Sequence, residues 1–193
     1  MKKNVFLVVA LLAFFTLGVC NAAAQQINSA TDLKAYLDKQ PANSPDKPIK
    51  VAMKVNDAML KGIVEVIRNA GKYVSLDLSG SPLTKIPDYA FVVVETEEGC
   101  ETLVGIIIPN GVTSIGDFAF AFCTNIKEIT IPASVTSVGG AAFAMWTAAQ
   151  TINIQGKANR EATFSAGWVK SKRLWDNNFS WDAECAAKIN YGK

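Results

Sequence analysis

Apolar and polar positions follow the same order in two neighbouring stretches of the chain. The stretch "IPNGVTSIG", from Ile108 to Gly116, returns as "IPASVTSVG", from Ile131 to Gly139. A period of roughly 20–50 residues is typical of a solenoid, because one unit is too small to bury its own apolar face and neighbouring units must stack. Equivalent strands then lie about 4.8 Å apart, so that equal side chains form columns. The pattern therefore predicts a parallel sheet of repeated strands.

The same register extends beyond the two clean copies. Downstream, Ile152 and Ile154 hold the strand positions at the next step of equal length, after which the pattern fails. Upstream, residues 83–91 match at a longer offset, which takes Phe91 to Phe120, and the excess falls in "VVVETEEG". Leu76 and Leu78 hold the strand positions of an earlier unit. We count two full repeats, one repeat with an insertion, and a broken last repeat.

These repeats resemble the BspA-like, surface-antigen type of leucine-rich repeat. That type reads roughly L-x-x-I-x-I-P-x-x-V-x-x-I-G-x-x-A-F-x-x-C, and the chain carries "LVGIIIPNGVTSIGDFAFAFC" and "IKEITIPASVTSVGGAAFAMW", in which Trp146 replaces the final Cys. The resemblance covers roughly residues 74 to 155. It implies a parallel-stranded solenoid used for adhesion or protein binding at a bacterial surface, and it implies no catalytic residues.

The segments on either side of the repeats differ from them. Before the repeats, the pattern predicts a short helix within 28–41, a half-buried strand over 49–55 and an amphipathic helix over 56–71. After the repeats, residues 157–193 carry three of the four tryptophans, and "KINY" predicts a last strand. Because the ends of a solenoid must be covered, we interpret both segments as caps, although aromatic rings also anchor partners.

The predicted fold class is an α/β solenoid, a short leucine-rich-repeat stack with a parallel sheet, an N-terminal helix–strand–helix cap and a Trp-rich C-terminal cap. The predicted parts are 1–24 as a signal peptide, 25–72 as the N-terminal cap, 73–156 as the repeats and 157–193 as the C-terminal cap.

The N-terminus is typical of an export signal. Lys2 and Lys3 precede the apolar run Val5 to Val19, and a run of alanines allows cleavage after Ala24. The alternative is a lipoprotein signal, in which Cys20 of "LGVC" receives lipid. Both interpretations place the protein outside the cytoplasm, as a secreted, cell-surface or periplasmic protein.

Composition narrows the possible partners. Removing residues 1–24 lowers the formal net charge from +2 to zero. No basic stripe remains to neutralise phosphates, so nucleic acid is not an expected partner. Membrane contact is expected only if Cys20 is lipidated. We expect a protein or glycan partner at the cell surface.

Three cysteines remain in the predicted mature chain, namely Cys100, Cys123 and Cys185. Cys100 and Cys123 occupy equivalent repeat positions and would be stacked neighbours, which permits a disulfide in an exported protein. The alternative, which we favour, is a buried pair of small apolar thiols.

The sequence carries no enzyme signature. Histidine is absent, which removes Ser-His and Cys-His nucleophile pairs and His-ligated metal sites. The four carboxylates of "ETEEGCE", from Glu95 to Glu101, allow calcium binding, but a solvated insertion loop is the expected interpretation. We expect no catalytic residue, no metal and no cofactor. The alternatives to a binding module are a structural or assembly component of the cell envelope, and an enzyme that relies on carboxylates such as Asp77 and the Glu95–Glu101 cluster.

The candidate site is the outward face of the repeat sheet. Side chains alternate along a strand, so if Ile106 and Ile108 point into the core, Ile107 points out. Ile107 is the apolar residue at the centre of this face, and we expect Ile107, Glu128 and Thr130 to contribute most to binding. If this face does not bind, the tryptophan-rich C-terminal end is the next candidate. The residues of the predicted face are Lys54, Ser75, Asp77, Gly105, Ile107, Glu128, Thr130, Thr151 and Asn153.

Overall fold

The computed structural model describes residues 27–156 and 185–192. The predicted signal peptide with Cys20, and the predicted C-terminal cap up to residue 184, lie outside these residues. The described part contains two helices, α1 over Ala30–Asp38 and α2 over Leu60–Asn69. No helix in this part is both long and apolar enough to span a membrane.

Six strands form one fully parallel sheet, as the repeat pattern predicts. Their bounds are Ile49–Ala52 for β1, Val74–Asp77 for β2, Leu103–Ile107 for β6, Glu128–Ile131 for β8, Thr151–Ile154 for β10 and Lys188–Tyr191 for β11. Their order across the sheet is β1-β2-β6-β8-β10-β11.

The repeat period sets the register of this sheet. Ile129 is level with Ile152, and Ile107 is level with Thr130, so Ile106, Ile129 and Ile152 form one column. All three side chains are buried. The expected repeat register is therefore confirmed, and β11 adds one further strand beside β10.

The returns between these strands carry shorter strands. A second parallel sheet has the order β3-β7-β9. Its strands are Lys85–Ile86 for β3, Ser114–Ile115 for β7 and Ser137–Val138 for β9. The insertion in the first repeat is not a plain solvated loop, because Val92–Val93 (β4) pairs antiparallel with Glu98–Gly99 (β5).

Aromatic residues form a column inside the stack. The ring centroids of Phe91 and Phe120 lie 4.7 Å apart, and those of Phe120 and Phe143 lie 5.5 Å apart, with nearly parallel planes. Trp146 ends the column edge-on, with its centroid 5.1 Å from that of Phe143. Its indole Nε1–H donates a hydrogen bond of 2.8 Å to the carbonyl of Phe120. The buried indole therefore has its polar group satisfied within the core.

The helices of the N-terminal segment pack on the same core as the repeats. The hydroxyl of Ser29 accepts a hydrogen bond of 3.1 Å from the backbone N–H of Asp32, which caps the start of α1. α1 buries Leu33 and Leu37. Beyond α2, Gly71 adopts a φ of +60°, a left-handed conformation that favours glycine at a helix end. The predicted helix–strand–helix order is present, with β1 pairing to β2.

The three cysteines among the described residues are free thiols. Cys100 and Cys123 are buried, and Cys185 is half-buried. The Sγ of Cys123 donates to the carbonyl of Phe91 at 3.7 Å. The structure contains the buried pair of thiols, Cys100 and Cys123, and no disulfide between them.

Candidate functional site

The outward side chains of the six-stranded sheet, called here the sheet face, form two straight rows. The Ile107 row and the Glu128 row each take one residue from every strand, because the strands are parallel and nearly in register. The Ile107 row is Ala52, Asp77, Ile107, Thr130, Asn153 and Asn190. The Glu128 row is Lys50, Ser75, Gly105, Glu128, Thr151 and Lys188.

Ile107 is the exposed apolar centre of this face. Its side chain is 53% exposed, and Met145, outside the sheet, is the other large hydrophobic residue with comparable exposure, at 48%, in the described part of the chain. Ile107 lines a shallow depression of about 320 Å³. Glu128 and Thr130 line the same depression, together with Asn110, Pro132 and Gln155. The three residues expected to contribute most to binding therefore border one surface feature.

An irregularity in β6 accompanies this depression. Val74 is level with Leu103, whereas Ser75 is level with Gly105, so β6 carries one extra residue, Val104, as a β-bulge. A bulge bends its strand and increases the local twist. On the other side of β6, residues are level with β8 only at Ile107 and Thr130. The sequence alternation alone gives no sign of this bulge.

Glu128 is held by a chain of amide groups. The Nδ2 of Asn190 donates to Oδ1 of Asn153 at 2.8 Å, and the Nδ2 of Asn153 donates in turn to the carboxylate of Glu128. This arrangement buries Asn153, which is 9% exposed. Asn153 therefore lies in its predicted row, but its side chain is nearly buried and its amide bonds to Glu128.

Asp77 is the second ordered carboxylate on the sheet face. Its Oδ1 accepts a hydrogen bond of 2.8 Å from the backbone N–H of Ser79, just beyond the end of β2. Asp77 is level with Ile107 on the neighbouring strand. The apolar side chain of Ile107 is thus flanked by one carboxylate on each side, Asp77 on β2 and Glu128 on β8.

Gly105 is the member of the Glu128 row that has no side chain. A Cβ at this position would approach Oγ of Ser75 to 3.1 Å, so a larger residue would crowd its neighbour. Ser75 and Thr151 are half-buried. The side chain of Ser75 therefore lies close beside Gly105 in this row.

Lys54 does not occupy its predicted place. β1 ends at Ala52, and Ala52 is the residue level with Asp77. Lys54 is exposed and lies two residues beyond the strand. Its Cε would lie 3.7 Å from a Cβ at position 80, where the chain has glycine. Met53, directly after β1, forms a parallel bridge with Ile27.

Sequence reasoning missed four members of the sheet face. Lys50 and Ala52 come from β1, and Lys188 and Asn190 come from β11. The signal was available, because "IKVA" and "KINY" alternate in the same way as the repeat strands. Asn190 matters most, since it completes the amide chain that holds Glu128.

The carboxylates proposed for an enzyme do not share a site. Asp77 lies on the sheet face, whereas Glu95 lines a separate cavity of about 700 Å³ between α2 and the β4–β5 hairpin. That cavity also holds Glu65 and Asp88 but not Asp77. Among the described residues, no three His, Cys, Asp or Glu side chains are grouped so as to hold a metal ion.

An ion pair lies next to the sheet face, where β8 begins. The Nζ of Lys127, directly before β8, contacts Oδ1 of Asp46 at 2.8 Å. The hydrogen bond from Lys127 holds the pKa of the Asp46 carboxyl below its ordinary value. Lys127 is thereby engaged with Asp46, and it does not neutralise Glu128.

This architecture, a stack of parallel strands repeated at a constant interval with aromatic columns inside, defines a leucine-rich-repeat solenoid. The family model described as "BspA type Leucine rich repeat region (6 copies)" matches residues 84–167. The match confirms the resemblance of the repeats to the BspA type. Among curated proteins, none matches the chain.

Proposed function

We propose that this protein is an exported, non-enzymatic binding module that engages another protein through its sheet face. One observation carries the proposal, namely that Ile107 is 53% exposed on a sheet face whose other members, apart from Ala52 and Gly105, are polar. An apolar centre within a polar rim is the usual composition of a protein-binding patch. The depression shared by Ile107, Glu128 and Thr130 gives such a patch its shape.

The repeat family supports this class of function. BspA-type repeats are suggestive of a surface or protein-interaction module, and leucine-rich repeats are generally non-enzymatic. The separation of Asp77 from Glu95 also favours binding over carboxylate chemistry. Adhesion at a bacterial surface is the specific form of binding that we propose.

The test compares two matched variants in a capture experiment. Immobilised wild-type protein is incubated with host extracellular matrix and with the envelope fraction of the producing cell, and bound proteins are identified by mass spectrometry. Ile107→Glu should lose the specific partner and keep the thermal melt, because Ile107 is on the solvent side. Met145→Glu, at a comparably exposed apolar residue outside the sheet, should still capture the partner. Equal capture by wild type and Ile107→Glu contradicts the proposal, and the tryptophan-rich C-terminal end becomes the candidate.

The proposed export route has its own measurement. The intact mass of the protein recovered from outside the cytoplasm should correspond to a chain that starts at Gln25. A chain that starts at a lipid-modified Cys20 instead makes this a lipid-anchored surface protein, with the sheet face unchanged as the binding site. A mass that retains residues 1–24 contradicts export by this signal.

The second candidate function is assembly into the cell envelope. In the described part of the chain, β1 and β11 are the outermost strands of the six-stranded sheet. Outer strands offer backbone groups to a strand of another chain. Size-exclusion chromatography of the mature protein separates the two functions, because assembly requires self-association at micromolar concentration and the binding module does not.

A further inference from the structure

We infer that the sheet face recognises an extended protein segment with two basic side chains four residues apart and an apolar residue midway between them. This inference rests on the proposed function, since it names the chemistry of the partner at the same face. It follows from the positions of Asp77 and Glu128 on either side of Ile107. Three properties matter, namely which charges are held in place, how far apart they lie, and what fills the space between them.

Both carboxylates are fixed before any partner arrives. The Oδ1 of Asp77 is held by the backbone N–H of Ser79, and the carboxylate of Glu128 is held by Asn153, which Asn190 holds in turn. In the described part of the chain neither carboxylate forms an ion pair. Each is therefore a pre-oriented acceptor, and a basic side chain that binds it loses little additional order in the receptor.

The spacing of the carboxylates matches an extended chain. Asp77 and Glu128 lie two strands apart and in different rows, which corresponds to about 12 Å between their Cα positions at the usual strand and residue spacings. Residues i and i+4 of an extended segment lie about 13 Å apart, with their side chains on the same side. A segment crossing β2, β6 and β8 diagonally therefore brings its first and fifth side chains to the two carboxylates.

The middle of this diagonal is shaped for an apolar side chain. The line from Asp77 to Glu128 passes over β6 between Ile107 and Gly105. Ile107 supplies exposed apolar surface and borders the same depression as Glu128. The third side chain of the segment would pack against Ile107, where burial of apolar area contributes to binding.

The outer strands limit the length of the basic segment. Lys50 on β1 and Lys188 on β11 are exposed at the two ends of the Glu128 row. The face is thus negative beside its apolar centre and positive at its ends. A long polybasic chain is repelled at the ends, so the match is to a short cationic segment.

The experiment uses defined peptides, blocked at both termini. The probe has the core Lys-Thr-Val-Thr-Lys, the charge control has Glu-Thr-Val-Thr-Glu, and the apolar control has Lys-Thr-Asp-Thr-Lys. Binding is followed by NMR shift titration at low and physiological salt. The probe should bind more tightly than both controls, and its affinity should fall as salt screens the contacts.

Protein variants assign the contacts. Asp77→Asn and Glu128→Gln should each weaken probe binding about two- to fivefold, as expected for partly exposed charge pairs. Asp38→Asn, which removes an exposed carboxylate on α1, should leave it unchanged. Preference for the Glu peptide, or unchanged binding by both carboxylate variants, overturns the inference. If Ile107→Glu still abolishes capture of the natural partner in that case, the proposed function stands and only the partner chemistry is wrong. If Ile107→Glu captures normally and the probe does not bind, both are wrong.

Discussion

The carboxylate of Asp117 accepts a hydrogen bond of 2.6 Å from the backbone N–H of Gly140, one repeat further along the chain. Asp88 does the same for the backbone N–H of Asp117, at 2.8 Å. A Cβ on Gly116 or Gly139 would lie 2.2 or 2.3 Å from the accepting oxygen. Each turn therefore combines a glycine with a carboxylate from the preceding repeat, and these bonds join the stacked returns.

We expect Asp117→Ala to lower the free energy of unfolding by about 1–3 kcal/mol, because it removes the acceptor of a partly buried backbone N–H. Urea unfolding monitored by circular dichroism measures this. Asp38→Ala, on the exposed surface of α1, should unfold like wild type. A stability of Asp117→Ala equal to wild type would show that this bond does not join the repeats.

Ile129→Asp should unfold or aggregate the protein. Ile129 is 1% exposed in the column between Ile106 and Ile152, and an unpaired carboxylate there costs several kcal/mol, against a total stability of about 5–15 kcal/mol. Thr130→Asp, one residue further and on the solvent side, is the control and should melt close to wild type. A normal melt of Ile129→Asp would contradict the register.

Trp146 stabilises the end of the aromatic column in two separable ways. Trp146→Phe keeps most of the packing and removes one of the two hydrogen bonds to the Phe120 carbonyl, which also accepts from the backbone N–H of Cys123 at 3.3 Å, so it should cost about 0.5–1.5 kcal/mol. Trp146→Ala also removes the ring that contacts Phe143, and should cost about 3–5 kcal/mol. Thermal and urea unfolding of the two variants test this order. Equal stabilities for Trp146→Phe and wild type would mean that the hydrogen bond contributes nothing.

The buried thiols should resist alkylation in the folded protein. Burial raises the pKa of Cys100, of Cys123 and, with less burial, of Cys185. Iodoacetamide at pH 8, followed by peptide mass spectrometry, should label Cys185 first and label the other two only after denaturant is added. Rapid labelling of Cys123 without denaturant would contradict its burial.

These thiols also give stability a dependence on alkaline pH. Because their pKa is higher in the folded state than in the unfolded chain, their contribution is complete below the unfolded pKa, about 8.5, and is lost as the pH rises through the folded pKa. Unfolding free energies at pH 7 and pH 10 should therefore differ more for wild type than for the Cys100→Ala/Cys123→Ala variant. An equal loss in both proteins would assign the pH effect to other groups.

Much of the fold could be predicted because it depends on periodicity alone. The repeat period predicted the column of Ile106, Ile129 and Ile152, and the alternation within "KINY" predicted the last strand. These features follow from apolar burial, which leaves a regular trace in the sequence.

The candidate site was less predictable because its details depend on contacts between strands. Asn153 has the parity of an exposed residue, but its amide bonds to Asn190 and Glu128 bury it. The end of β1 before Lys54 and the bulge at Val104 depend on local backbone pairing. Neither feature changes the periodicity of the sequence. The alternation therefore predicted which side of the sheet is exposed, but it did not predict the position of each residue on it.

The hydrogen bonds between Asp88 and Asp117, and between Asp117 and Gly140, would allow further repeats to be inserted before Gly140. The series of bonds ends at Gly140. At Gly140 the series reaches a residue that carries no carboxylate for a following turn. A duplicated copy of residues 117–139 inserted after Gly139 would begin with an aspartate and end with a glycine, so both junctions would keep their bonds. Each such copy would lengthen the molecule by one strand, about 4.8 Å. The number of copies would thus set the length of the repeat stack.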